Sequence, residues 1–166
     1  MTETAWYSDA IEGVRTQPRS GVTLVNPGQA VYHALNRFEM SRLPELSEDQ
    51  TIEFKEVLDQ ARQQLPSIPP VATTRIITKG SGIMLGLEPH EALVAERKAL
   101  LEIVESCFGK TIPYNQHFNI WLGRATDQER AHAARLYLTD HHMPATVQLG
   151  SLVALASVKY GPRFCL

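Results

Sequence analysis

The stretch QHFNIWLGR, residues 116–124, constrains the fold more than any other part of the sequence. Successive side chains of a β-strand point to opposite faces of a sheet. One face would then carry three apolar side chains, Phe118, Ile120 and Leu122. The opposite face would carry His117, Asn119 and Trp121. The alternation therefore predicts a strand that buries one face and presents a histidine and an amide on the other.

A second histidine lies in a similar stretch, residues 30–38, which we also interpret as a strand. In an extended chain His33, Leu35 and Arg37 would share one face of this strand. The chain thus offers two strands, each with one histidine on a face that is open to chemistry. The question that follows is whether the two histidines face each other.

The order of the predicted elements favours an α+β fold. A short strand near residue 22 and the histidine strand come first, and Ser47 with Gln50 forms the capping-box signature of a helix. A β-hairpin over residues 71–87, a helix over residues 91–108 with Cys107 in its apolar stripe, and the strand of His117 follow. A further helix after residue 126 and short strands after residue 146 complete the order. Because hairpins and helices are interspersed, an antiparallel sheet is favoured over a doubly wound parallel sheet.

Composition sets limits on size and partners. The 166 residues suit a single domain over residues 1–166, with 43% hydrophobic residues to form a core. A net charge of −2 gives no broad positive field for long nucleic acid, whereas a small phosphorylated ligand needs only a few local cations. Two cysteines, no signal-peptide pattern and no long apolar run predict a cytoplasmic protein that does not enter a membrane. We expect a monomer.

With these residues in view, the sequence resembles the two-histidine (2H) phosphoesterase superfamily, which includes 2′-5′ RNA ligase-like proteins and cyclic nucleotide phosphodiesterases. Residues 115–124, NQHFNIWLGR, resemble the second histidine motif and its Gly-Arg tail. The first motif resembles residues 33–36, HALN. In element order the resemblance covers residues 22–166. It implies two pseudo-symmetric lobes, each an antiparallel sheet with flanking helices, around a central cleft.

The resemblance also implies a chemistry. His33 and His117 would flank a phosphodiester, one accepting a proton and the other donating one, without a metal or another cofactor. A histidine suits both roles because its unperturbed pKa is about 6.5. Asn119 would donate to the phosphate through its amide, Arg37 and Arg124 would bind phosphate, and Trp121 would stack a base. The implied substrate is a 2′,3′-cyclic phosphate, a cyclic nucleotide or a 2′-5′-linked oligonucleotide, with short RNA as a further partner.

Two other functions remain open at this stage. In the family both motifs carry Thr or Ser two residues after the histidine, whereas this sequence has Leu35 and Asn119 there. A non-catalytic nucleotide-binding protein of the same fold would tolerate those changes. A small α+β interaction protein with structural histidines would need no site at all.

Overall fold

The structure, a computed structural model, describes residues 21–24, 31–32, 47–141 and 143–149. The chain divides into two compact units. The first unit comprises Met1–Tyr32, Pro70–Glu88 and His117–Gln148, and the second comprises His33–Pro69, Pro89–Gln116 and Leu149–Leu166. Within the described ranges, no helix is both long enough and apolar enough to cross a membrane.

The first unit is built on an antiparallel sheet. Its strands are β1 (Val22–Leu24), β2 (Val31–Tyr32), β3 (Val71–Lys79), β4 (Gly82–Leu87), β5 (Phe118–Ala125) and β6 (Thr146–Val147). The order across the sheet is β1, β5, β4, β3, β6, and β2 pairs with the same edge of β5 as β1. Every pairing is antiparallel, as hairpins require. The predicted α+β class is confirmed.

The β3–β4 hairpin forms where the sequence predicts it. β3 is rich in Thr and Ile, which favour strands because branched side chains pack well on a pleated surface. Gly80 begins the two-residue turn with a φ of 57°, a conformation that costs glycine little. Lys79 and Gly82 lie opposite each other directly across the turn.

One face of this sheet carries the buried apolar side chains. Its side chains are 0–4% exposed and comprise Ile76, Ile83, Leu85, Leu87, Phe118, Ile120 and Leu122. Helix α3 (Gln128–Asp140) packs against β1, β3, β4 and β5. Its buried residues include Ala131 and Ala134, whose small side chains allow a close approach.

Helix α3 begins at Asp127, as the sequence signature predicts. The Asp127 carboxylate accepts a hydrogen bond from the backbone N–H of Arg130, at 2.8 Å. This bond lowers the pKa of the Asp127 carboxyl below its ordinary value, because it stabilises the charged form. The Arg130 guanidinium also pairs with Asp127, at 2.5 Å.

The described part of the second unit contains two helices. Helix α1 (Glu48–Gln64) starts with the predicted capping box, in which the Ser47 N–H donates to the Gln50 side chain at 3.0 Å and the Gln50 N–H donates to the Ser47 hydroxyl at 3.3 Å. Helix α2 (Glu91–Phe108) ends at Gly109, with a φ of 61°. The Phe54 and Phe108 rings pack with their centroids 5.2 Å apart, which joins the two helices.

Three expectations from the sequence have different outcomes. Cys107 was expected in the core and this is wrong, because its position one residue from the end of α2 leaves it exposed. The histidine strand predicted over residues 116–124 begins at Phe118 and runs to Ala125. The second lobe of the predicted pseudo-symmetric pair stays a prediction, since residues 33–46 and 150–166 lie outside the described residues.

Candidate functional site

The predicted division of β5 into two faces is confirmed. Phe118 and Ile120 are each 3% exposed and Leu122 is fully buried. Asn119 and Trp121 alternate with them and are half-buried. The second face of the sheet is therefore partly open, and we call it the open face.

A β-bulge on β5 decides where Arg124 lies. In the pairing with β4, Ile83 lies opposite Gly123 and Met84 lies opposite Trp121, so Leu122 is an extra residue on β5. An uninterrupted strand would place Arg124 on the buried face with Leu122. The bulge reverses the alternation, as bulges do, so that Arg124 is exposed and Ala125 is 4% exposed. Arg124 consequently joins Asn119 and Trp121 on the open face.

The middle of the open face is apolar. Met84 of β4 lies opposite Trp121 of β5 and opposite Ile77 of β3. Directly opposite residues of antiparallel strands point to the same face, and all three of these side chains are half-buried. They form a half-buried apolar floor on this face.

Gly82 determines how the Trp121 ring lies on that floor. A Cβ atom added at Gly82 would lie 2.9 Å from Cζ3 and 3.0 Å from Cη2 of Trp121. The indole therefore covers the backbone of β4 at the place where any larger residue would project a side chain.

Lys79 is a site residue that sequence reasoning missed. It lies opposite Gly82, which in turn lies opposite Arg124, so the three residues form one row across β3, β4 and β5. Lys79 and Arg124 are both exposed and their side chains share the open face. Two interstrand spacings place their Cα atoms about 10 Å apart. Counting back from the two-residue turn gives the pairing of Lys79 with Gly82, whereas the pairing of Gly82 with Arg124 depends on the register of β4 against β5.

The predicted site residues on β5 are spread along the strand. Seven residue steps lead from His117 to Arg124 and the bulge takes up one of them, so six strand steps of about 3.3 Å place their Cα atoms about 20 Å apart. Side chains of a strand stand roughly perpendicular to the sheet. A single phosphate therefore does not contact both residues, and Arg124 must act on a different part of any ligand that His117 contacts.

His117 is exposed and directly precedes β5. The segment that leads to it is fixed by Arg97 of α2, which is only 2% exposed and donates from its guanidinium to the carbonyl oxygen of Asn115. A buried arginine is costly unless it is hydrogen-bonded, so this contact holds the backbone two residues before His117 in the chain. No signal in the sequence marks Arg97, because an arginine at this position of α2 resembles an ordinary surface charge.

The first histidine motif begins one residue after the described part of β2. β2 ends at Tyr32, one residue before His33, and its pairing runs from Val31 opposite Trp121 to Tyr32 opposite Ile120. That direction along β5 leads toward Asn119 and His117. His33 and Arg37 themselves lie outside the described residues.

Three other histidines have local structural contacts. His90 caps α2 by accepting a hydrogen bond from the Ala92 N–H at 3.1 Å, and His132 lies 3.3 Å from the Arg135 guanidinium. His141 is 2.7 Å from the Tyr137 carbonyl oxygen and its ring stacks on Tyr137 at 3.9 Å. Among the residues that the structure describes, no group of three His, Cys, Asp or Glu could hold a metal ion.

Comparisons of the chain with protein-family models, with curated proteins and with solved structures found no match.

Proposed function

We propose that the open face binds a nucleotide-like phosphodiester and that the protein hydrolyses it without a metal, with His33 and His117 as the acid–base pair. The observation that carries the proposal is the bulge at Leu122, which turns Arg124 onto the face of Asn119 and Trp121. A histidine, an amide donor, an aromatic ring and a cation then follow one another along a single strand. That sequence of groups suits a ligand with a reacting phosphate at one end and a base and a further anion beyond it.

Each group has a role in this proposal. His117 is exposed, as proton exchange with a substrate requires. Asn119, one pleat further along the same face, would donate from its NH₂ group to a phosphate oxygen. Trp121 would stack a base, which is worth about 1–3 kcal/mol per base in single-strand binding proteins.

His33 would complete the pair from the strand that lies beside β5. The pairing of Val31 and Tyr32 with β5 supports this, because it brings the chain to the N-terminal half of β5 one residue before His33. The proposal keeps the two-lobed fold and the cytoplasmic location predicted from the sequence. Arg37 is assigned to the same phosphate as His33, since the two would share a strand face.

Hydrolysis assays with nucleoside 2′,3′-cyclic phosphates and 2′-5′-linked dinucleotides test the proposal. His33→Ala and His117→Ala should each reduce turnover at least about 100-fold, the lower end of what general acid–base catalysis contributes. His132→Ala, which removes an exposed histidine of α3, is the matched control and should leave turnover unchanged. The pH–rate profile should be bell-shaped, because one histidine must be neutral and the other protonated.

Two results would contradict the mechanism: turnover that survives loss of both histidines, or turnover that disappears with a chelator. Calorimetric binding of the same compounds without turnover would instead indicate the non-catalytic nucleotide-binding protein. In that case Asn119→Thr, which restores the hydroxyl of the family motif, tests whether the amide is what abolishes activity. Absence of both binding and turnover would favour the third function, a small α+β interaction protein with structural histidines.

A further inference from the structure

We propose that Lys79 and Arg124 form a second anion subsite beside the Trp121 ring, so that the preferred ligand is a nucleotide with two separate phosphate groups. This inference rests on the proposed function and deepens it, because it specifies the ligand class. It depends only on β3, β4 and β5, all of which belong to the first unit. Lys79 lies outside both histidine motifs.

The register is the first support. Lys79, Gly82 and Arg124 occupy one row across three strands, with the glycine in the middle. Because Gly82 has no side chain, nothing of β4 stands between the two cations on the open face. The Trp121 ring fills that position instead, within 3.0 Å of where a Gly82 Cβ would lie. An aromatic surface is thus flanked by a cation on each side.

Electrostatics is the second support. The two cations, about 10 Å apart across the sheet, repel each other weakly and attract an anion between or beside them. Within the described residues, neither Lys79 nor Arg124 forms an ion pair. Asp127 is the carboxylate nearest to Arg124 in the sequence, and it is already bound by Arg130 and Thr126. Among the residues that the structure describes, no carboxylate therefore pairs with the two cations of this row.

The distance along β5 is the third support. His117 and Arg124 are about 20 Å apart, so the phosphate at the histidine end is not the one that Arg124 contacts. In a nucleoside 3′,5′-bisphosphate the ribose lies between the two phosphates and the base projects from the ribose, so a base stacked on Trp121 leaves one phosphate toward each end of β5. On the open face Trp121 lies between Asn119 and the Lys79–Arg124 row, which matches that order.

Calorimetry with adenosine 3′-monophosphate and adenosine 3′,5′-bisphosphate tests the subsite. Both probes are monoesters, so a phosphodiesterase does not consume them. The wild type should bind the bisphosphate about ten-fold more tightly, which is what one charge-assisted hydrogen bond provides. Lys79→Ala should remove that preference by weakening bisphosphate binding about ten-fold while leaving the monophosphate affinity unchanged.

Two further variants make the result specific. Lys79→Arg keeps the charge and should keep the preference. Lys98→Ala removes a lysine from an exposed position of α2 in the other unit and should change neither affinity. Raising the salt concentration should reduce the preference in the wild type, because exposed charges are screened.

The inference is overturned if the wild type does not prefer the bisphosphate, or if Lys79→Ala affects both probes equally or neither. These outcomes are distinguishable from failure of the proposed function. The probes report binding alone, whereas loss of the function appears as absent turnover of cyclic phosphates and dinucleotides. If the protein prefers the bisphosphate but hydrolyses none of the test substrates, the anion subsite is supported and the proposed phosphodiesterase activity is refuted.

Discussion

Replacing Gly123 by alanine should push β1 partly away from β5. A Cβ atom at Gly123 would lie 2.3 Å from the Thr23 carbonyl oxygen and 2.7 Å from the Leu24 Cα. Both of these atoms belong to the backbone, so they cannot rotate away as a flexible side chain would. β1 must therefore shift outward, and its three residues pair only with β5 in the described structure.

The cost follows from what β1 contributes. Leu24 is 4% exposed, and full burial of a leucine side chain stabilises a protein by about 1.5–3 kcal/mol. Each lost backbone hydrogen bond adds about 0.5–1.5 kcal/mol. The Thr126 N–H also donates to the Gly21 carbonyl at 2.7 Å, and this bond depends on the same edge. Because the shift is partial, we expect Gly123→Ala to lower the free energy of unfolding by about 2–4 kcal/mol.

Urea denaturation measures this loss, and Gly80→Ala is its control. Nothing lies within 4 Å of a Cβ at Gly80, so alanine there costs only the positive φ of 57°, about 1–2 kcal/mol. With a slope of about 2 kcal/mol per M urea, Gly123→Ala should lower the midpoint by about 1–2 M. A midpoint for Gly123→Ala equal to or above that of Gly80→Ala would refute the close contact between β1 and β5, and with it the packing that surrounds the bulge.

Two further perturbations test other parts of the structure. Asp127→Ala should lower the urea midpoint at pH 7. Because the folded pKa of Asp127 is lowered, its contribution to stability is present above the ordinary carboxyl pKa and is lost as the pH falls through the folded pKa. The urea midpoints of the wild type and the variant should therefore converge in acid. A difference that stays constant down to pH 3 would contradict this. Phe54→Ala, at a side chain that is 3% exposed and packs against the tilted ring of Phe108, should cost about 3–5 kcal/mol in the same assay. Ile52→Ala, on the same helix at 53% exposure, should stay within about 0.5 kcal/mol of the wild type, and equal losses for the two would refute the assigned face of α1.

Local patterns in the sequence were sufficient for the type of several described elements and for the start of α1 and α3. Ser47 and Gln50 form both reciprocal hydrogen bonds of the predicted capping box, because the motif needs only residues three positions apart. The alternation around Ile120 was equally reliable, since apolar residues at every second position of a strand share one face, which is buried.

The bulge at Leu122 could not be predicted. An extra residue on one strand changes the pairing without changing composition or local propensity, and its only trace is the reversed exposure of Arg124 and Ala125. Lys79 was missed for a related reason. Its partnership with Arg124 arises through Gly82 on a third strand, so it depends on long-range register rather than on any local motif.

The separation of the two ends of the open face leads to a kinetic prediction for the proposed enzyme. Arg124 lies about 20 Å along β5 from His117, so it contacts a part of the substrate that does not change during the reaction. Such binding is the same in the ground state and the transition state, and its loss raises KM without lowering kcat. Steady-state kinetics on a substrate with two phosphates should therefore show Arg124→Ala with a KM raised about ten-fold and an unchanged kcat. His117→Ala should show the opposite pattern, a reduced kcat, because proton transfer occurs only in the transition state. A large fall in kcat for Arg124→Ala would place the reacting phosphate at the Lys79–Arg124 row and would overturn the assignment of the two ends.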